Sequence, residues 1–259
     1  MKLSRTVHRD LPKQSIITAL FILALGLSAV AIETDLPALA GNLDQIVIVL
    51  TKLATPDWSY LPTVLPAIAE TIQMAVTGTV LGTAAAIPVA FLATAPMSGN
   101  RPLSIIVRGI LNVIRTVPDL LLAALFVAVV GIGLFTGMLA IAVFTFGVVS
   151  KLVYEAIDTI QPGPVESLTA AGATRTHIAR YAVIPQIMPN LISYTLYAFE
   201  INVRASTVLG YVGAGGVGVT LQASMGLLRY DRVSVIIISI FVVVLAIDAF
   251  SAWARRRIL

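Results

Sequence analysis

The 259 residues contain no cysteine, which excludes a disulfide framework, thiol chemistry and any cysteine metal site. Histidine is nearly as scarce. His8 and His177 are isolated in basic surroundings without the partners that metal ligation or acid–base work requires, and no Ser, His and Asp grouping offers a nucleophile instead. No catalytic residue and no metal ligand is therefore assigned. The pattern G-x-x-x-x-G-K-[ST] is absent, so the chain cannot itself cradle the phosphates of ATP. Charge is thin, at 12% of residues, and the alternation of a β-barrel is missing.

What is there is apolar: 58% of residues are hydrophobic, and several runs are long enough to cross a hydrocarbon core about 30 Å thick. Lipid gives the backbone no water to bond with, so such runs imply helices and an all-α polytopic membrane protein. A formal charge of +4 and a pI near 9.6 suit nucleic acid in principle, but the basic residues cluster beside apolar spans, where they orient the chain. No nucleic-acid partner is expected.

The first span is expected from Ser15 to Ile32, after a basic leader carrying Lys2, Arg5, Arg9 and Lys13. Ala29-Val30-Ala31 resembles a signal-peptide cleavage site, but the apolar run exceeds the usual length, so a retained helix is the expectation. Residues 33 to 65 read as exterior: Glu33, Asp35, Asp44 and Asp57 face a lone Lys52, and Trp58 and Tyr60 suit an interfacial belt. Within them Leu43, Ile46, Val47, Leu50 and Leu53 recur at helical spacing, which predicts a short surface helix. Further spans are expected at Pro66 to Ala95, Leu103 to Ile132 with a kink at Pro118, Met138 to Ile160, Gln186 to Leu209 and Val233 to Trp253. Six spans put both termini on one side, and the basic leader and the Arg255-Arg256-Arg257 tail make that side the cytoplasm.

One polar stretch stands out, ESLTAAGATRTHIARYAVIPQ at residues 166 to 186, on the cytoplasmic side between spans four and five. Gln161-Pro162-Gly163-Pro164 ends the preceding span, and Pro164 suits the first position of a new helix. Val165, Leu168, Ala171, Gly172, Ile178 and Ala182 form a weak apolar stripe, opposite Glu166, Thr169, Arg175, His177 and Arg180. Pro185 and Pro189 are expected to close it, and Gly172 to permit a close approach. The shape suits docking into another protein's groove; a solvated connector is the plainer alternative.

Glu166, Gly172 and Pro185 fall in the register of a longer pattern, Glu-Ala-Ala, three residues, Gly, nine residues, Ile-x-Leu-Pro, with Ser167, Leu168, Ala182 and Ile184 departing from its commonest letters. The stretch thus resembles the coupling loop of type I ABC importer permeases. Arg180-Tyr-Ala-Val-Ile-Pro-Gln, Tyr194 to Gly210 and Val212-Gly-Ala-Gly-Gly-Val-Gly look like the phosphonate and phosphite subfamily, and methionine importers share a shorter version. The resemblance covers about Glu70 onward. It implies an N-terminal helix and periplasmic segment over 1–65, a permease domain over 66–259 and a coupling loop at 162–185. Glu166, Gly172, Arg175, Arg180 and Pro185 would couple to a cytoplasmic ATPase dimer, which would use ATP and Mg while this chain holds no cofactor. A solute-binding protein outside, a second copy of the chain and lipid would be the other partners, in a bacterial inner membrane.

Charges inside the spans need an account, because burying them in lipid is costly. Glu200 and Arg204 lie four apart, as do Arg115 and Asp119 beside Pro118, and each couple can pair on one helix face. Either they line a translocation path, where guanidinium groups would suit an oxyanion, or they lock helices together. Lys151 and Glu155 get the locking role. An ion-driven secondary transporter using Glu200 and Asp119 is the rival, although no paired repeat supports it. Gly213, Gly215 and Gly218 spell G-x-G-x-x-G without the strand a dinucleotide site needs, so a tight or re-entrant turn is expected there.

Overall fold

The computed structural model describes residues 11–32 and 41–258; the leader residues Lys2, Arg5, His8 and Arg9, and Glu33 and Asp35, lie outside them. All regular structure among the described residues is helical. The chain divides into two compact units, residues 1–51 and 52–259. The first holds α1 (Leu11–Ala31), an apolar helix with no residue buried in its membrane-length window, and most of α2 (Leu43–Ala54). The spacing predicts a short helix here and α2 is that helix, with Leu43, Val47 and Leu50 exposed on it.

The second unit begins with a turn at Trp58–Tyr60 and α3 (Leu61–Leu92). It continues through α4 (Ala95–Ser98), α5 (Arg101–Thr116), α6 (Asp119–Val130) and α7 (Leu134–Asp158). Then come α8 (Pro162–Ala170), α9 (Arg175–Ile178), a π-helical turn at Ala179–Val183 and α10 (Ile184–Leu209). The short α11 (Val217–Gly226) and α12 (Tyr230–Ile258) complete it. Four helices, α1, α3, α7 and α12, are long and apolar enough to cross a bilayer alone, and six spans result if each bent pair counts as one. The pair α5 and α6 bends by 87° at Val117-Pro118, and α10 and α11 by 48° across the glycine turn. The kink expected at Pro118 is therefore a full break: proline disfavours helical geometry in the residue before it, and Val117 is extended at ψ 120°. Several sequence boundaries also move. Helix α3 starts at Leu61, leaving Pro66 inside it, and α7 starts at Leu134, one turn before Met138.

Helices α3 and α7 form the spine. Met74 of α3 meets Gly137 of α7, Gly78 meets Ile141 and Gly82 meets Thr145, so each step of four residues on one matches a step of four on the other and the two run parallel. Parallel neighbours need a return crossing between them, which α5 and α6 supply. Small residues set the distance: a Cβ at Gly82 would stand 2.5 Å from the Ala142 carbonyl oxygen, and one at Gly78 would stand 2.6 Å from Ile141 Cγ2. Gly78 and Gly82 are a G-x-x-x-G pair, which lets two backbones touch where lipid supplies no hydrophobic drive.

A buried amide holds α10 to this spine. Asn202 Nδ2 donates to Thr79 Oγ1 of α3 at 2.8 Å and to Thr145 Oγ1 of α7 at 2.7 Å, and the Thr79 hydroxyl donates in turn to the Ala75 carbonyl. Asn202 Oδ1 has no hydrogen-bond partner among the described residues. At the start of the unit, Asp57 caps the Trp58–Tyr60 turn, Arg229 pairs with Asp231 at 2.9 Å, and both Arg229 and Arg232 reach Asp57 at 3.9 Å. The hydrogen bond and charge of Asp231, with Asp57 beyond, push the Arg229 guanidinium above its ordinary pKa. These contacts tie the start of α12 to the start of α3.

Asn202→Ala should destabilise the purified chain by about 1 kcal/mol, the scale of an interhelical hydrogen bond in a membrane. Unfolding in mixed detergent reads this as an earlier midpoint; an unchanged midpoint would mean that the amide clamp carries no load.

Candidate functional site

The polar stretch is carried beneath the bundle on a surface built in three steps. Helix α7 stops at Asp158, and α8 begins at Pro162, earlier than the expected Pro164, with the proline again at the first turn where its missing N–H costs nothing. Gly172 ends α8 with a paired-bond cap: its N–H donates to the Thr169 carbonyl and the Ala173 N–H donates to the Leu168 carbonyl, both at 3.0 Å. That cap needs a left-handed residue, and Gly172 sits at φ +78° with nothing within 4 Å of where a Cβ would stand. Within this chain, then, Gly172 is required for backbone handedness and not for the expected close approach. Thr174 caps α9 by accepting the His177 N–H.

Pro185 and Pro189 do not close the stretch. The π-helical turn runs directly into α10, with Pro185 in its first turn and Pro189 inside it. The inner face is as the stripe predicts for Ile178 and Ala182, which are buried, and for Val165 and Leu168, which pack on the same cluster beside Val153, Ile157 and Ile187. Ala171 and Gly172 are exposed instead.

The outer face is polar. Glu166 is exposed and makes no hydrogen bond or ion pair among the described residues. Arg180 lies 5.7 Å over the Tyr181 ring, which stacks on His177 at 6.3 Å, and a recess of about 250 Å³ opens among Thr176, His177, Arg180 and Tyr181. Arg175 turns the other way: its Nη1 donates to the Ser98 carbonyl at 3.0 Å.

Sequence reasoning missed the anchor above this surface. Arg108 of α5 donates through Nε to the Ala93 carbonyl at 2.6 Å and through Nη2 to both Asp158 oxygens at 2.8 and 3.1 Å, with its guanidinium 4.6 Å over the Tyr154 ring. Its partners lie 15 and 50 residues away, so no local spacing marks it. It also missed Glu70, which with Gln73 and Thr77 forms an exposed polar stripe on α3 beside a recess of about 150 Å³ closed by Leu134, Phe135 and Met138.

The charges within the spans pair differently from the spacing. Glu200 and Arg204 do not choose each other: Arg204 Nη2 reaches both Asp248 oxygens at 2.7 Å, and Glu200 accepts from Arg255 at 2.6 Å. Both couples join α10 to α12, where a facing helix offers better geometry than four residues along the same one. Arg115 and Asp119 are not paired either, because the break at Val117-Pro118 removes the shared face. Asp119 Oδ1 instead accepts the Leu120 N–H at 2.8 Å, while Arg115 is exposed, has no ion pair among the described residues, and lays its stem against Gly147. Lys151 and Glu155 pair at 3.3 Å as expected.

The glycine run is a structural turn: Gly213, Gly215 and Gly216 have positive φ, Gly213 accepts the Gly133 N–H at 3.0 Å, and the Val217 N–H donates to Thr71 Oγ1 at 2.8 Å. The helix α11 that follows was not anticipated.

Against known proteins, the family described as binding-protein-dependent transport system inner membrane component matches residues 78–259. A putative phosphite transport system permease of Stutzerimonas stutzeri is 36% identical over 256 residues, covering 98% of this chain and 91% of its own length. A phosphite transport system permease of the same organism is 34% identical over 223 residues, covering 86% and 81%. Among solved structures, a chain of a methionine ABC transporter in an inward-facing conformation superposes with a TM-score of 0.67 at 24% identity, over 76% of this chain and 96% of that one, which shows a shared fold.

Substitution at Gly172 should follow backbone handedness and not volume. Gly172→Asn is expected to cost a few tenths of a kcal/mol and Gly172→Val well over 1 kcal/mol, since β-branched side chains strongly resist positive φ. Protease sensitivity of the 162–185 stretch checks this; equal effects of the two would refute the cap.

Proposed function

The chain belongs to the family of binding-protein-dependent transport system inner membrane components, and on that footing we propose that it forms the path of an importer for phosphite, phosphonate or a related phosphorus oxyanion. It is a multi-pass membrane permease subunit of an ATP-driven importer, and ATP is hydrolysed by a separate subunit. The observation that carries the mechanism is the two-faced coupling stretch. Its inner face is packed into the bundle through Ile178, Ala182 and Val183, and its outer face leaves Glu166 and Arg180 free for a partner. A set of short helices fastened to the spans on one face and open on the other is what a lever requires.

In this reading a cytoplasmic ATPase dimer docks on residues 162–185, the binding protein docks outside, and two copies of the chain enclose the path, with both termini in the cytoplasm. ATP and Mg bind only the ATPase. Its closure pushes α8 and α9, which carry α7 and α10 with them, and the path changes its side of access. Arg115 is the path residue best placed for an oxyanion, being an exposed guanidinium that lies away from the first turn of its helix and has no carboxylate partner among the described residues. Arg204 and Glu200 are held in ion pairs with α12, and Asp119 accepts the Leu120 N–H in the first turn of α6, which gives the ion-driven rival no support at Glu200.

Reconstitution of the chain with its ATPase and binding protein in proteoliposomes should give ATP-dependent uptake of phosphite or an alkyl phosphonate, and Arg115→Ala should slow it about tenfold, the worth of one charged hydrogen bond. Uptake by the chain alone under a proton gradient would contradict the reading.

A further inference from the structure

The coupling stretch has two covalent outlets, α7 before it and α10 after it. The structure holds a third that no covalent bond supplies. Arg175, in the first turn of α9, donates to the carbonyl of Ser98, the last residue of α4 before the turn into α5, 77 residues away. The next residue, Gly99, caps α4 at φ +65°, and the Arg175 guanidinium fills the space that a Gly99 side chain would occupy. The two residues are shaped around each other.

Ser98 is in turn bound to the start of α5. Its hydroxyl donates to the Asn100 carbonyl at 3.2 Å and accepts the Asn100 N–H at 3.3 Å, and Asn100 caps α5 by accepting the Leu103 N–H at 3.2 Å. Displacement of Arg175 is thus delivered to the first turn of α5. That helix is 16 residues long and ends at the 87° break, so it is a lever of about 24 Å at 1.5 Å per residue. Arg108 pins its middle to the ends of α3 and α7, as a fulcrum, and Arg115 rides near the far end.

We propose that Arg175 is a positioning residue that drives α5 directly: it does not touch the ATPase but hands the motion of the coupling stretch to the Ser98-Gly99 turn, and so to the Pro118 break and Arg115. The proposal rests on the importer reading, and it assigns Arg175 the opposite direction from a docking residue. A planar guanidinium on a carbonyl is suited to this, because it holds under a pull in the plane while its charge keeps it at a helix end.

The absence of cysteine allows a single reporter. Thr116→Cys, at the exposed end of α5, is labelled with a maleimide in proteoliposomes holding the chain and its ATPase, with and without ATP and vanadate. Nucleotide should change the labelling rate. Arg175→Ala and Gly99→Ala should each shrink that change at least about fivefold, the low end of measured coupling energies. The double variant should be no worse than either, and Arg175→Lys should restore part of the change. Co-purification of the ATPase should persist throughout, which a docking role for Arg175 does not allow. A full response in Gly99→Ala, or no response in the otherwise unaltered chain, would overturn the proposal. Failure of the ATPase to co-purify with the unaltered chain would remove the importer reading beneath it.

Discussion

Water is missing from the interior of a bilayer, and the rest of this structure depends on that. A polar group within the spans gains most by finding its partner in the chain, because an unpaired one costs several kcal/mol. The result is a set of specific clamps: Asn202 on Thr79 and Thr145, Arg204 on Asp248, Glu200 on Arg255 and Arg108 on Asp158. Each joins helices distant in sequence. Since lipid gives no hydrophobic reward for helix contact, these clamps and the close glycine packing of α3 on α7 are what define the bundle.

Beneath the bundle the constraint lifts, and the chain behaves differently. The segment between α7 and α10 has exposed, lightly partnered polar groups on one side and a buried apolar stripe on the other. It is therefore fastened to the spans yet open to a second protein. Force applied to it reaches α7 and α10 through the backbone, and the proposed Arg175 link adds α5. The 87° break at Pro118 and the π-helical turn at Ala179–Val183 are the places where such motion meets irregular backbone. Function, in this account, comes from a stiff frame, a surface-mounted handle and a few built-in joints.

Much of this was legible in the sequence, for reasons that differ by feature. The spans were visible because apolar length is a direct demand of lipid thickness, and the 162–185 stretch because its polarity breaks that rule. The glycine turn was recognisable from context. Pairing was not: i and i+4 proximity made Glu200 and Arg204 look like partners, whereas each bonds to α12, a choice fixed by tertiary packing that no local pattern contains. Arg115 and Asp119 lost their shared face to a break sharper than the expected kink. Arg108 was hidden for the same reason as Arg204. Gly78 and Gly82 did carry a readable G-x-x-x-G signal that was passed over. Gly172 stands out in the sequence as a glycine amid a polar stretch, and within the chain the left-handed cap accounts for it where crowding does not.

The central claim is that the exposed face of the coupling stretch seats an ATP-hydrolysing partner. It is tested most directly by placing one cysteine at Glu166 in this cysteine-free chain and adding a short thiol crosslinker to membranes containing the whole transporter. The account predicts a crosslink to the ATPase whose yield changes when ATP is bound. Failure to capture that subunit, or reaction of the cysteine only with a reagent applied from outside the cell, would contradict it.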